Sequence, residues 1–178
     1  MDKVLLRGKL QTQKNNFALV QAGVALMTAE EALERIHDTF EVVKDHPEFS
    51  SFSYITYVFE RDELLMLATK ELRNAILRNM LKETFELMKL YGDVTSQQAL
   101  VRAAPWYQFL RIVRNCLSHD FQLSFRPADL NILPVTWSGL TLERSMHNGP
   151  LQMRDFLSRP KVMELMDDII KYVEQELA

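Results

Sequence analysis

The sequence predicts an all-α protein: a four-helix-type bundle with a small β-hairpin insertion between the third and fourth core helices. Three observations predict it. Glycine and proline are scarce, at 5 and 6 among 178 residues, which disfavours a turn-rich β fold. Apolar residues recur at three- and four-residue spacing through most of the chain. Only residues 121–150 depart from that spacing toward strand-like alternation. The chain reads as a single domain, 1–178, with 1–27 as an N-terminal extension and 121–150 as a β-containing insertion.

Within the extension, Phe17, Val20, Val24 and Met27 keep a helical spacing, which Gly23 and the polar run "QTQKNN" weaken; a short helix packed on the body is expected. Thr28 followed by Glu31 has the form of a capping box. The stripe Ala29, Ala32, Leu33, Ile36, Phe40 and Val43 then predicts the first core helix, ended by Pro47. After the aromatic linker "PEFSSFSYITYVF" the longest helix should run from about Phe59 to Tyr91. Leu64, Leu65, Ala68, Leu72, Ala75, Ile76, Met80 and Leu87 mark its buried side, and Gly92 its stop. The third helix should run from about Ser96 to His119, broken near Pro105. Its successor is the hairpin: "LPVTW" and "LTLER" flank Ser138-Gly139, and His147-Asn148-Gly149-Pro150 forms a second turn. The fourth helix is capped by Ser158 with Pro160 in its first turn, and buries Val162, Leu165, Ile169, Val173 and Leu177.

Composition narrows the function classes. Hydrophobic residues are 47% and charged residues 25%, the balance of an ordinary globular protein. A net charge of −3 argues against broad sequence-independent nucleic-acid binding, which needs surplus Lys and Arg, but leaves room for a local anion site. The single cysteine, Cys116, permits no internal disulfide and fits a reducing, cytoplasmic location. The apolar run Val4–Leu6 is too short for a signal peptide, and no window approaches a membrane span.

The stretch "RIVRNCLSHD", residues 111–120, concentrates polar groups within an apolar segment. On an ideal helix at about 100° per residue, Trp106, Phe109, Leu110, Val113, Cys116 and Leu117 fall on one side, with Ile112 at its edge. Tyr107, Arg111, Arg114, Asn115 and Ser118 fall on the other. Arg114 and His119 occupy opposite margins of the polar arc, and Asn115 lies one turn beneath His119. Periodicity alone fits a solvated helix face, with Arg and His complementing the negative C-terminal end.

The spacing adds something narrower. Arg114-Asn115-x-x-x-His119 resembles the Arg-x4–6-His signature of the HEPN superfamily, whose members often place a polar residue directly after the arginine. The resemblance covers residues 28–178 as architecture and six residues as motif. It implies a small helical bundle with the signature at the end of the third core helix. It further implies a metal-independent endoribonuclease completed across a homodimer, with RNA as substrate, roles as toxin or defence effector, and an antitoxin or regulatory protein as a further partner. Arg114, His119 and Asn115 would be catalytic; Arg111 and Ser118 would contact substrate.

The chemistry of these side chains suits that implication. His119 can take or give a proton near neutrality. Arg114 stays cationic and offers a planar fork to phosphate oxygens, while Asn115 could orient the imidazole or bond the phosphate. One chain supplies one such histidine, and two chains about a two-fold axis would supply two. HEPN toxins paired with nucleotidyltransferase antitoxins carry a tyrosine two positions after the histidine; here Phe121 lacks the hydroxyl, which puts that form of control in doubt. The alternative is a catalytically silent HEPN module that binds RNA, nucleotide or protein; a helical scaffold with a coincidental motif is a third reading.

Other candidates carry less. His37 and His46 stand without a second His or Cys at ligand spacing, so no metal is expected, and with no glycine-rich phosphate loop no cofactor is expected. His147 reads as a turn residue and Cys116 as a buried, inert thiol. Lys70, Arg73, Arg78 and Lys82 alternate with glutamates along the long helix, mostly a mixed-charge exposed face, with some of them able to border an RNA groove.

Overall fold

Apolar residues at helical spacing form helices through most of the chain. A computed structural model describes residues 1–43, 52–119, 121–152 and 155–178. Among them are eight α-helices and one antiparallel strand pair: α1 (Lys3–Met27), α2 (Ala32–Val43), α3 (Phe52–Phe59), α4 (Asp62–Thr95), α5 (Gln98–Ala103), α6 (Tyr107–Leu117), α7 (Pro127–Leu130), β1 (Val135–Trp137), β2 (Leu140–Leu142) and α8 (Arg159–Glu176). His46, Pro47, Asp120 and the side chains of Phe40 and Val43 lie outside the described residues. No helix among the described residues is long and apolar enough to cross a membrane. The chain divides into two compact units, residues 1–15 with 78–178 and residues 16–77.

In the first unit the start of α1 runs beside α8. Lys3 donates to the Leu177 carbonyl at 2.6 Å, Arg7 pairs with Glu174 at 2.6 Å, and Lys14 pairs with Asp167. The rising and falling numbers make the pairing antiparallel, with Leu6 and Leu10 buried beneath it. Residues 1–15 therefore pack within this unit, as expected of the segment, but the helix they begin spans 25 residues and is not short. Ala178 is tied down as well. Tyr91 donates its hydroxyl to the Ala178 carbonyl, and Ala178 N–H donates to Gln97 at 2.9 Å.

The long helix passes straight through Gly92 and ends at Thr95. Ser96 takes the left-handed position at φ 58°, and Gln97 N–H reaches back to the Gly92 carbonyl at 2.8 Å, a Schellman closure with serine where glycine is usual. Gly92 serves packing instead: a Cβ there would meet the Gln98 Cα at 3.2 Å. The buried side of α4 in this unit is Met80, Leu81, Phe85, Met88 and Tyr91; of the expected stripe only Met80 is fully buried. This helix is apolar on more than one face, and α6 and α8 decide which face is covered.

Helix α6 lies at the centre. Ala104 adopts an extended conformation, as the residue before a proline must, and separates α5 from α6. Phe109, Leu110, Ile112, Val113, Cys116 and Leu117 are all at most 1% exposed, and full burial of such aliphatic and aromatic side chains contributes about 1.5–3 kcal/mol each. The hairpin turns on Ser138 and Gly139, both at positive φ (45° and 78°), the type I′ geometry that matches strand twist. Its register is Val135↔Leu142, Thr136↔Thr141 and Trp137↔Leu140. Trp137 anchors it: the ring meets Phe109 at 5.3 Å and the indole N–H donates to Asp168 of α8 at 3.0 Å. Ser158 begins α8 with Pro160 in its first turn, and Val162, Leu165, Ile169, Val173 and Leu177 are buried.

The second unit holds the rest of α1, α2, α3 and the start of α4. Thr28 does not cap α2. Its hydroxyl donates backward to the Val24 carbonyl at 2.9 Å, closing the end of α1, and α2 begins only at Ala32. The segment expected as linker contains α3. Among the described residues of this unit the buried apolar side chains are Phe17, Val24, Ala32 and Leu77, while Leu19, Leu26, Met66 and Leu67 are more than half exposed.

Candidate functional site

The site is built on the last turn of α6. Arg114 is its fourth-last residue, and the guanidinium reaches across to α4. There it forms an ion pair with Glu86 and lies 5.2 Å from the centre of the Phe85 ring. Its Nη1 also donates to Asn115 Oδ1 at 2.9 Å. Arg114 is about one quarter exposed and Glu86 about two fifths, so one side of this cluster meets solvent. Among the described residues Arg114 Nε finds no acceptor.

Asn115 is 6% exposed, and Tyr107, also assigned to the polar arc by the helical wheel, is 9% exposed. The wheel counts angles, but α6 is short and central, and neighbouring elements cover more than half its circumference. The Asn115 side chain therefore meets Arg114 from the core side, as the acceptor of an intramolecular bond.

The helix ends before His119. Ser118 N–H bonds the Asn115 carbonyl at 3.1 Å and His119 N–H the Cys116 carbonyl at 3.0 Å, the three-residue closure of a tightening last turn. His119 is exposed, and its carbonyl accepts Gln122 N–H at 2.9 Å. Phe121 follows at φ 60°, a left-handed conformation uncommon for a bulky residue. It is held by the 2.6 Å bond from Leu151 N–H to its carbonyl, and by Arg78, 5.6 Å from its ring centre. Arg78 also donates from Nε to the Leu117 carbonyl at 2.8 Å, a free acceptor at the helix end. The α4 face that carries Arg78 thus continues through Lys82, exposed, to Glu86, at four-residue steps.

Arg111 and Ser118 are placed differently. Arg111 pairs at 2.6 Å with Asp129, which is 1% exposed, and bonds Gln108 at 2.9 Å. Asp129 in turn accepts Arg126 N–H at 3.0 Å and closes the first turn of α7. Arg111 is thereby committed to a strut between α6 and the insertion, apart from the Arg114 cluster. Ser118 is exposed, and its hydroxyl donates back to the Arg114 carbonyl at 3.2 Å. Cys116 is fully buried; burial first, and the Asp129 carboxylate second, push its thiol up to about 12, which leaves it protonated and inert. His147 accepts Phe125 N–H at its Nδ1 (3.1 Å) and stacks on that ring, a structural role in the turn. His37 lies 3.9 Å from Glu60 in the second unit, exposed. Among the described residues no three His, Cys, Asp or Glu side chains are grouped to hold a metal.

Two members of the cluster, Phe85 and Glu86, escaped the sequence reading. Nothing in the local pattern of α4 marks them; only the meeting of α4 with α6 makes them partners of Arg114. No known protein family, curated protein or solved structure matches the chain.

Proposed function

We propose that the chain is a metal-independent endoribonuclease of HEPN type, acting in the cytoplasm as a homodimer, with Arg114, Asn115 and His119 as its half-site. In this reading the helices form the four-helix-type bundle of that superfamily, and the hairpin is an insertion between its third and fourth core helices. A toxin or defence role follows, with an antitoxin or regulatory protein as further partner. The observation that carries it is the end of α6: Arg114 is held in shape by Asn115 and Phe85 on a rigid helix, while His119 stands exposed two residues beyond that helix. A cation fixed on a helix and a titratable group on the adjoining turn are the two parts that phosphodiester cleavage needs.

The reaction balances without an external reagent. The RNA 2′-hydroxyl attacks the neighbouring phosphorus and gives its proton to one histidine. The bond to the 5′-oxygen breaks, and the second histidine protonates that leaving oxygen. Arg114 stabilises the extra charge on the phosphorane, and a 2′,3′-cyclic phosphate and a free 5′-hydroxyl remain. The dimer supplies the second His119.

Purified protein incubated with mixed RNA tests this. Cleavage is expected to persist in EDTA and to leave a cyclic phosphate terminus. Arg114→Ala and His119→Ala are each expected to lower the rate by about 10²–10⁴-fold, the range for loss of an acid–base group or an electrostatic donor. Cleavage abolished by EDTA, or retained in both variants, overturns the mechanism.

One observation favours a second reading, a silent module that binds RNA, nucleotide or protein. The charge of Arg114 is already matched by Glu86. RNA binding without turnover, in a protein whose His119→Ala variant binds equally well, would favour that reading.

A further inference from the structure

The Arg114 guanidinium has three neighbours of unequal permanence. Asn115 is 6% and Phe85 7% exposed, so both are locked in the packed interior. Glu86 is about two fifths exposed and meets the guanidinium from the solvent side. A carboxylate so placed is the one partner that can leave without opening the core. It also has somewhere to go: Lys82 lies four residues before it on the same face of α4, within reach of a helix ion pair.

We infer that Glu86 gates the site: its carboxylate occupies Arg114 in the RNA-free protein, and a phosphodiester of RNA displaces it. This rests on the RNA-binding reading above and names how that site is controlled. A phosphate offers the guanidinium fork two charge-assisted bonds in place of the carboxylate's. The Phe85 ring and Asn115 hold the guanidinium in place during the exchange, so the arginine waits preformed. Arg78, two turns before Glu86, extends the cationic face along which the backbone of the strand would pass. Glu86 touches neither the scissile phosphate nor the nucleophile, and is a positioning residue. Its ion pair also keeps an acidic protein's cation from collecting free anions, and so favours a polyanion that engages several cations together.

The test is binding of a fluorescent 2′-O-methyl oligonucleotide, which lacks the nucleophile, across a salt series. Wild type, Glu86→Gln, Arg114→Ala and the double variant are compared, with circular dichroism and melting curves confirming the fold. Glu86→Gln keeps the side chain's shape, removes its charge and turns one acceptor oxygen into an NH2 donor. It is expected to tighten binding by about two- to fivefold at low salt, the scale of a partly exposed ion pair. The slope of log K against log salt should match wild type in Glu86→Gln, because the same phosphates are contacted, and should fall by about 0.7 in Arg114→Ala, one phosphate contact fewer on a single strand. The gain in affinity should vanish in the double variant. A merely structural Glu86 would change the melting curve and leave the affinity of the folded protein alone. Unchanged affinity in Glu86→Gln, beside wild-type cleavage that depends on His119, overturns the gate and leaves the nuclease standing. A gain through Arg114 in a protein that cleaves no RNA does the reverse. If no variant binds the oligonucleotide, both fall.

Discussion

At the residue scale, chemistry in α6 depends on how deeply each polar group is set. Arg111 and Arg114 are three residues apart and equally exposed, yet one braces a buried aspartate and the other faces a half-exposed glutamate. The first is held by a desolvated partner, which its departure would leave as an unpaired charge in the interior. The second is held by a partner that water already reaches, and is the one free to change partners. Cys116, between them and His119, supplies a clean check on burial. Its thiol stays protonated to about 12, whereas an unfolded thiol ionises near 9.0. A raised value means that the folded state binds the extra proton between these limits, so its contribution to stability is complete below pH 9 and is lost as pH rises toward 12. Denaturant titrations of wild type and Cys116→Ala should therefore converge across that window. A thiol reagent should label the native protein slowly and the unfolded protein at once; fast native labelling would mean that the end of α6 opens.

At the scale of elements, termini and turns carry the testable detail. Ser96 ends α4 in a left-handed conformation, exposed to solvent. Glycine accepts that conformation without a Cβ penalty, so Ser96→Gly should raise stability by about 0.5–1 kcal/mol, read as a shift in urea midpoint at constant slope. A loss of stability would show that the Ser96 side chain contributes an interaction worth more than the backbone relief. The hairpin and the fourth helix were legible because their signals are local. Ser138-Gly139 between alternating runs can do little but form a tight turn, and Ser158 with Pro160 suits only a helix start. Thr28 and Gly92 misled for the same local reason. Each has the right chemistry for a helix boundary, but Thr28 serves the helix before it, and Gly92 is small because another helix lies against it.

At the scale of the whole molecule, apolar burial is uneven between the two units. The first buries residues from five helices and the hairpin, whereas the second has four buried apolar side chains among its described residues. Less burial means less free energy opposing local opening. Amide hydrogen exchange should find residues 16–27 and 62–77 exchanging faster than the continuations of the same helices, residues 3–15 and 78–95. Equal protection throughout would show that the second unit is stabilised in solution by contacts beyond this chain, and the exposed Leu19, Leu26, Met66 and Leu67 would be where to look.

The sequence by itself determined the helical class, the place of the hairpin, the break at Pro105, the buried face of α8 and the inert setting of Cys116. These follow from spacing and backbone chemistry that act over a few residues. It also singled out Arg114, Asn115 and His119 as a set, through a spacing that resembles a known motif. Only the tertiary structure decided what each of them faces. The buried side of α4, the partnership of Arg114 with Glu86 and Phe85, the burial of Asn115 and the commitment of Arg111 to Asp129 all arise between elements distant in the chain. A helix presents several faces of similar apolarity and charge, and which one becomes interior is settled by what packs against it.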